Sequence, residues 1–452
     1  MVLPIVLVHG YSDRGQSWAP WRTRLQAMDP TRRILTCTYQ SLVNEVTIKD
    51  ISEAFDRALA TEGGLQPNEP FDAMVHSTGM LVLRAWLAAD PARVKRLKHL
   101  VALAPATFGS PLAKKGRSWL GAIFKGNRHL GPDFLDAGDL VLDGLELGSR
   151  FIWDLALNDA LAAKPVYDTG PDTPYVTVFC GTGTYDGLRK VVDTPGTDGT
   201  VRRAGCSLDI RCISLDMTEQ GMVMRQQGKD TRLLADTWRL VDMPVQLIGK
   251  PDGTDGVNHA TILANPPAEL VALVADALKV DSADAHATWL AQANAADRIA
   301  AMAEKYQQFI VHALDERGDP VTDYNVQIYL DDGTHLEEFD AEVDVYNSDP
   351  SFRCFHVDIS RILQRAGTIP GLTIHIIAST GTTYVGYLGY GFEPQAELGA
   401  SDAALRLSGD MLTRAAFFRP YTTTLIRLYI ERQVLPPERT KPAQLLTWNV
   451  DN

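Results

Sequence analysis

Along the first third of the chain, near-continuous apolar runs alternate with stretches of helical period. Residues 3–10 (LPIVLVHG), 71–77 (FDAMVHS) and 99–106 (HLVALAPA) lack polar alternation. That pattern predicts strands covered on both faces of a parallel sheet. Between them, 17–28, 48–61 and 80–89 read as helices, the last stopped by Pro91 soon after Ala89. Strands return at 173–183 and 243–250, followed by a helix over 266–280 and an Ala-rich, charged one over 283–309 that could connect domains. Strand and helix in turn predict an α/β fold with a mostly parallel sheet. From about residue 310, apolar and polar residues alternate and Gly, Pro, Asp and Asn cut the runs. This predicts an antiparallel, sandwich-like all-β domain. Domains of 1–304 and 305–452 are therefore expected. Residues 107–172 fit neither pattern and read as short amphipathic helices inserted above the sheet, a cap or lid.

Composition narrows the function. A chain of 452 residues, 45% hydrophobic and 22% charged, is that of an ordinary globular protein with two or three domains. A net charge of −13 argues against nucleic acid, which requires clustered Lys and Arg. It also disfavours purely electrostatic docking on anionic membranes, while leaving a neutral lipid or ester substrate and peripheral contact with a lipid surface open. No apolar run approaches the roughly 20 residues that cross a bilayer. The opening MVLPIVLVHG has neither the basic segment nor the cleavage site of a secretory signal, so a cytoplasmic location is expected, export without a signal being indistinguishable. Cys37, Cys180, Cys206, Cys212 and Cys354 are odd in number and scattered, neither a disulfide framework nor a zinc site. The acidic run 330–344 lacks the Asp spacing of a calcium loop and reads as a solvated strand edge. No metal or cofactor is expected, and no partner protein is inferable.

The chemistry enters where His76-Ser77-Thr78-Gly79 interrupts two apolar runs. Ser77 follows a strand and precedes a helix, so its hydroxyl can stand on a tight turn. A serine needs a histidine to take its proton, a carboxylate to orient that histidine, and backbone N–H groups to hold the oxyanion. Thr78 N–H, at the helix start, is one candidate donor. A second comes from the loop after strand 3–8, where Gly10 permits a close turn: Tyr11 N–H, with Ser12 as its rival. His259, just beyond strand 243–250, is the candidate base. Asp198 lies in a Gly-rich loop after the strand ending at Gly183 and is the candidate acid, followed by Asp186; Asp252 and Asp255 flank the base's own loop. The order Ser, Asp, His is that of α/β hydrolases. His9 and His76 read as supports of loop geometry.

With VLVHGYSDRGQSW (6–18), VHSTG (75–79), LAPATFGSPLA (103–113), GTDGTVRRAG (196–205) and NHATIL (258–263), the chain resembles α/β hydrolases of the lipase and esterase kind, including lecithin-acyltransferase-like acylhydrolases. The resemblance covers roughly residues 3–280. It implies Ser77 as nucleophile, Asp198 as acid, His259 as base, and the Tyr11 and Thr78 amides as oxyanion hole. It departs at Val75, where the family's G-x-S-x-G elbow has glycine, and in starting at what would be the third family strand. The implied activity is hydrolysis of carboxylic esters through an acyl-enzyme, with lipids and phospholipids among the substrates. Trp119, Phe124, Phe134, Phe151 and Trp153 of the insertion are candidate contacts for an acyl chain. The same triad could serve acyl transfer, or thioester, lactone or polyester cleavage. The rival from another class is a catalytically dead binding protein whose β domain is the working part.

Overall fold

Full burial of the apolar runs explains their lack of alternation: every residue of Ile5–Val8, Phe71–Ser77, Tyr175–Gly181 and Val245–Ile248 is buried. The computed structural model describes residues 2–10, 16–39, 44–115, 138–164, 166–167, 172–185, 194–218, 233–237, 243–337, 342–364, 371–381, 385–388, 401–409, 412 and 416–434. The chain divides into two units, the first of residues 1–211, 239–308 and 420–423, the second of 212–238, 309–419 and 424–452.

The first eight strands are β1 (Ile5–Val8), β2 (Ile34–Cys37), β3 (Phe71–Ser77), β4 (Leu97–Pro105), β5 (Tyr175–Gly181), β6 (Ile210–Asp216), β7 (Leu233–Thr237) and β8 (Val245–Ile248). Six of them form the parallel sheet of the first unit, in the order β2-β1-β3-β4-β5-β8. Among the helices beside it are α1 (Ala19–Met28), α2 (Ile48–Thr61) and α3 (Gly79–Ala89). A capping box starts α2: the Thr47 hydroxyl accepts Asp50 N–H, and the Asp50 carboxylate accepts Thr47 N–H at 2.8 Å. Ile48, Ile51, Phe55 and Leu59 then bury one face of α2, and α2 packs on α3. Two rings, Phe55 and Phe71, meet Trp86 of α3 with centroids 5.8 and 5.7 Å away.

One charge lies within the buried stretch of α3. Arg84 donates through Nε to Asp159 Oδ2 at 2.7 Å and through Nη2 to Oδ1 at 3.0 Å, and both side chains are fully buried. Tyr167 adds its hydroxyl to Asp159 at 3.0 Å. The pair ties the helix behind Ser77 to the segment that follows helix Arg150–Asn158.

The second unit adds β9 (Tyr306–Asp315), β10 (Tyr324–Leu330), β11 (Val343–Val345), β12 (Phe352–Asp358), β13 (Gly371–Ala378), β14 (Val385–Leu388), β15 (Ser401–Ser408) and β16 (Thr423–Val434). One sheet runs β10-β13-β15, the other β11-β12-β9-β16-β6-β7 with β14 on β16. Val326, Ile374, Phe309, Phe355, Leu428 and Leu215 share a single apolar core between them, the layering of a sandwich.

Three expectations change. Residues 212–238, left with the first domain by the sequence, belong to the second unit, because β6 and β7 join its larger sheet. The helix expected over 283–309 is two, Ala283–Ala293 and Ala295–Ala301, broken where Asn294 turns left-handed (φ 51°), and 306–309 is already strand. β2, a half-buried edge strand of four residues, was not expected.

Removing one partner of a buried ion pair strands the other, at a cost of about 3–5 kcal/mol. Asp159→Ala and Arg84→Met each leave one buried charge behind, so each should destabilise the first unit by that order in urea denaturation, and the double variant Arg84→Met/Asp159→Leu should cost less than the sum of the two. A double-variant loss equal to that sum would show that packing, rather than charge, sets the cost.

Candidate active site

β3 ends at Ser77, and α3 begins two residues later at Gly79, with Thr78 as its cap. So short a turn forces Ser77 to φ 53°, the left-handed region. For a residue with a side chain this costs about 1–2 kcal/mol, and it occurs where surrounding structure compels it. Two glycines make the room. A Cβ on Gly10, in the loop after β1, would lie 2.9 Å from Ser77 Cβ. On Gly79 it would lie 2.6 Å from the Val8 carbonyl oxygen and 2.8 Å from that of His9. Val75, where the family elbow has glycine, is buried in register with Val8 on one side and Ala102 on the other.

Asp198 and His259 meet. Nδ1–H of His259 donates to Asp198 Oδ2 at 3.0 Å, and the His259 backbone N–H donates to the Asp198 carbonyl at 3.0 Å. The other carboxylate oxygen, Oδ1, accepts Thr200 N–H at 3.0 Å and Val201 N–H at 2.9 Å. Asp198 is wholly buried, while Ser77 and His259 retain 5% and 6% exposure. The Cys180 thiol lies 3.7 Å from Asp198 Oδ2. Burial above all, then Cys206 and the Asp198 charge, raises its pKa well above the ordinary thiol value, so it faces the carboxylate as a neutral donor.

His76 bridges to the same loop. Its Nε2 lies 3.0 Å from the His259 carbonyl oxygen, and the two rings are 4.6 Å apart. Burial first, then the neighbouring His259 and His9, hold its pKa well below that of an exposed imidazole, so it is neutral. His9 bonds through Nδ1 to the Gly10 carbonyl at 2.7 Å and stands edge-on to Trp18.

The rival acids are occupied elsewhere. Asp252 accepts the N–H and hydroxyl of Thr254 at 3.1 and 2.8 Å, and Asp255 accepts Lys250 N–H at 2.8 Å. Asp186, Tyr11, Ser12, Trp119, Phe124 and Phe134 lie outside the described residues. Trp153 is buried in helix Arg150–Asn158, which packs on α3. Phe151 lines a depression with Ala85, Ala88 and Ala89, towards the end of α3 remote from Ser77. The Cys180 and His76 contacts have no signature in the sequence, since each joins residues far apart in the chain.

No protein-family model and no curated protein matches the chain. Among solved structures it is similar to phospholipase PlaB from Legionella pneumophila in complex with thio-NAD, at 20% identity and a TM-score of 0.75 over 99% of this chain and 98% of that one. A second structure of PlaB from Legionella pneumophila gives 0.73 at the same identity and coverage. The fold is that of an α/β hydrolase. Ser77 stands on the strand-to-helix turn between β3 and α3 of this fold. Among the described residues, no group of His, Cys, Asp or Glu could hold a metal ion, and no helix is long and apolar enough to cross a membrane.

Replacing a helical glycine by alanine ordinarily stabilises by about 1 kcal/mol. Gly79→Ala should do the reverse, because its methyl would meet two backbone oxygens of the β1 end. Denaturant unfolding decides, and a variant as stable as the wild type would contradict the close approach.

Proposed function

We propose that the chain is a serine-dependent carboxylic-ester hydrolase of the lipase or esterase kind, working through an acyl-enzyme. The observation that carries this reading is the Asp198–His259 hydrogen bond at 3.0 Å, in the same unit as a serine strained onto a strand-to-helix turn. In this reaction Ser77 Oγ attacks the ester carbonyl and its proton passes to His259 Nε2, the nitrogen left open because Nδ1–H is committed to Asp198. Asp198 stabilises the imidazolium, its own charge supported by the Thr200 and Val201 N–H groups. The Thr78 and Tyr11 amides hold the oxyanion. His259 returns the proton to the departing alcohol, and water then repeats the sequence on the acyl-enzyme.

The full-length likeness to a phospholipase supports lipid esters, phospholipids among them, as the substrate class. The apolar insertion 107–172 would receive the acyl chain. A protein that stays in the aqueous phase or rests peripherally on a lipid surface suits both.

A fluorophosphonate probe should label Ser77, and the wild type should cleave p-nitrophenyl esters with a chain-length optimum that separates esterase from lipase. Ser77→Ala should abolish both, and Asp198→Asn should lower kcat by about 10⁴-fold. Hydrolysis by Ser77→Ala at the wild-type rate would overturn the reading. A protein inert to probe and esters alike would favour a binding role for the β unit.

A further inference from the structure

Resting on the hydrolase reading, we propose that His76 is a positioning residue that fixes the base against the nucleophile's own strand. The need for one follows from the sheet order. The serine sits at the end of β3 and the base follows β8, with β4 and β5 between them. Three inter-strand steps amount to about 14 Å. The loop after β8 must therefore fold back over the ends of two strands to bring His259 to Ser77.

Three hydrogen bonds hold His259 there. Two come from Asp198: its carboxylate takes Nδ1–H and its carbonyl takes the backbone N–H. The third is made by His76, whose Nε2 lies 3.0 Å from the His259 carbonyl. A carbonyl oxygen can only accept, so His76 carries its proton on Nε2. Asp198 belongs to the loop beyond β5, whereas His76 is the last residue before Ser77. Of the three bonds, the His76 one alone joins the base directly to β3, and it thereby sets the distance between the two reacting side chains. The Trp21 indole, on α1, bonds at 3.3 Å to the Ile262 carbonyl three residues beyond the base and leaves His259 itself to these three.

The other ring nitrogen, Nδ1, is buried with no hydrogen-bond partner. Protonating it would place a cation without a counter-ion against the groups around the ring: His9 from the loop after β1, and His259 with Asp198 behind it. His76 can serve as a clamp only as the neutral Nε2–H tautomer. A second cation beside His259 would oppose the imidazolium that the reaction has to form.

Histidine side-chain ¹⁵N spectra test the geometry without relying on activity. His76 should show the neutral Nε2–H pattern unchanged across the pH range in which exposed histidines titrate. An Nδ1–H tautomer, or a His76 signal that titrates with the exposed histidines, overturns the proposal. Kinetics on a p-nitrophenyl ester test the role. His76→Leu should lower kcat by about 10- to 100-fold, the cost of a small misplacement of a reacting group, with KM within about twofold. His76→Gln, whose Nε2–H can reach the same carbonyl, should recover most of the loss. Wild-type kcat in His76→Leu, or equal damage in both variants, would refute the clamp. If His76→Leu fails to fold, the Gln variant and the spectra decide. If Ser77→Ala remains active, the hydrolase reading fails while the spectra still judge the clamp.

Discussion

Ser77 must hold a left-handed backbone at the end of a buried strand, and much of the first unit is arranged around that requirement. The turn has no slack: β1 approaches it so closely that neither Gly10 nor Gly79 can carry a side chain without collision. Behind it, α3 is buried along nearly its whole length, which prevents the helix from swinging away to relax the strain. A serine held this way has its backbone orientation imposed by the structure around it. The Arg84–Asp159 pair acts on the same helix from its far side.

The charges of the site are handled by saturation. Asp198 is wholly buried, and its two oxygens receive two backbone N–H groups, one imidazole N–H and one thiol. The thiol and the neighbouring imidazole of His76 are both held neutral by burial.

The parts of this architecture legible in the sequence are those with a local cause. Strands buried on both faces leave unbroken apolar runs, and so β1, β3, β4, β5 and β8 were foreseeable. The edge strand β2 is half-buried over four residues and leaves no such mark. Asn294 ends a helix by adopting φ 51°, a conformation that asparagine tolerates but does not announce. β6 pairs with β16, a strand far along the chain that no window of neighbouring residues contains, and β7 joins the sheet only through β6. At the site, Ser77 and His259 are marked by their places after strands, but four aspartates satisfied the same rule for the acid. Only the fold distinguishes them: Asp252 and Asp255 are turned into their own loop, and Asp198 alone among the described candidates faces the imidazole. The Val75 departure is likewise settled by tertiary contact, with the small Ala102 beside it.

The route of β6 through the second unit also has a consequence for synthesis. β6 pairs with β16, and Met217 N–H bonds to the Tyr429 carbonyl at 2.9 Å. More than two hundred residues separate the strands, which at 5–20 residues per second is about 10–40 s of translation. Throughout that interval the β6–β7 hairpin leaves the ribosome with an unsatisfied edge, of the kind that recruits foreign strands. A nonsense codon anywhere before β16 would leave that edge open permanently, even where Ser77, Asp198 and His259 had already been made.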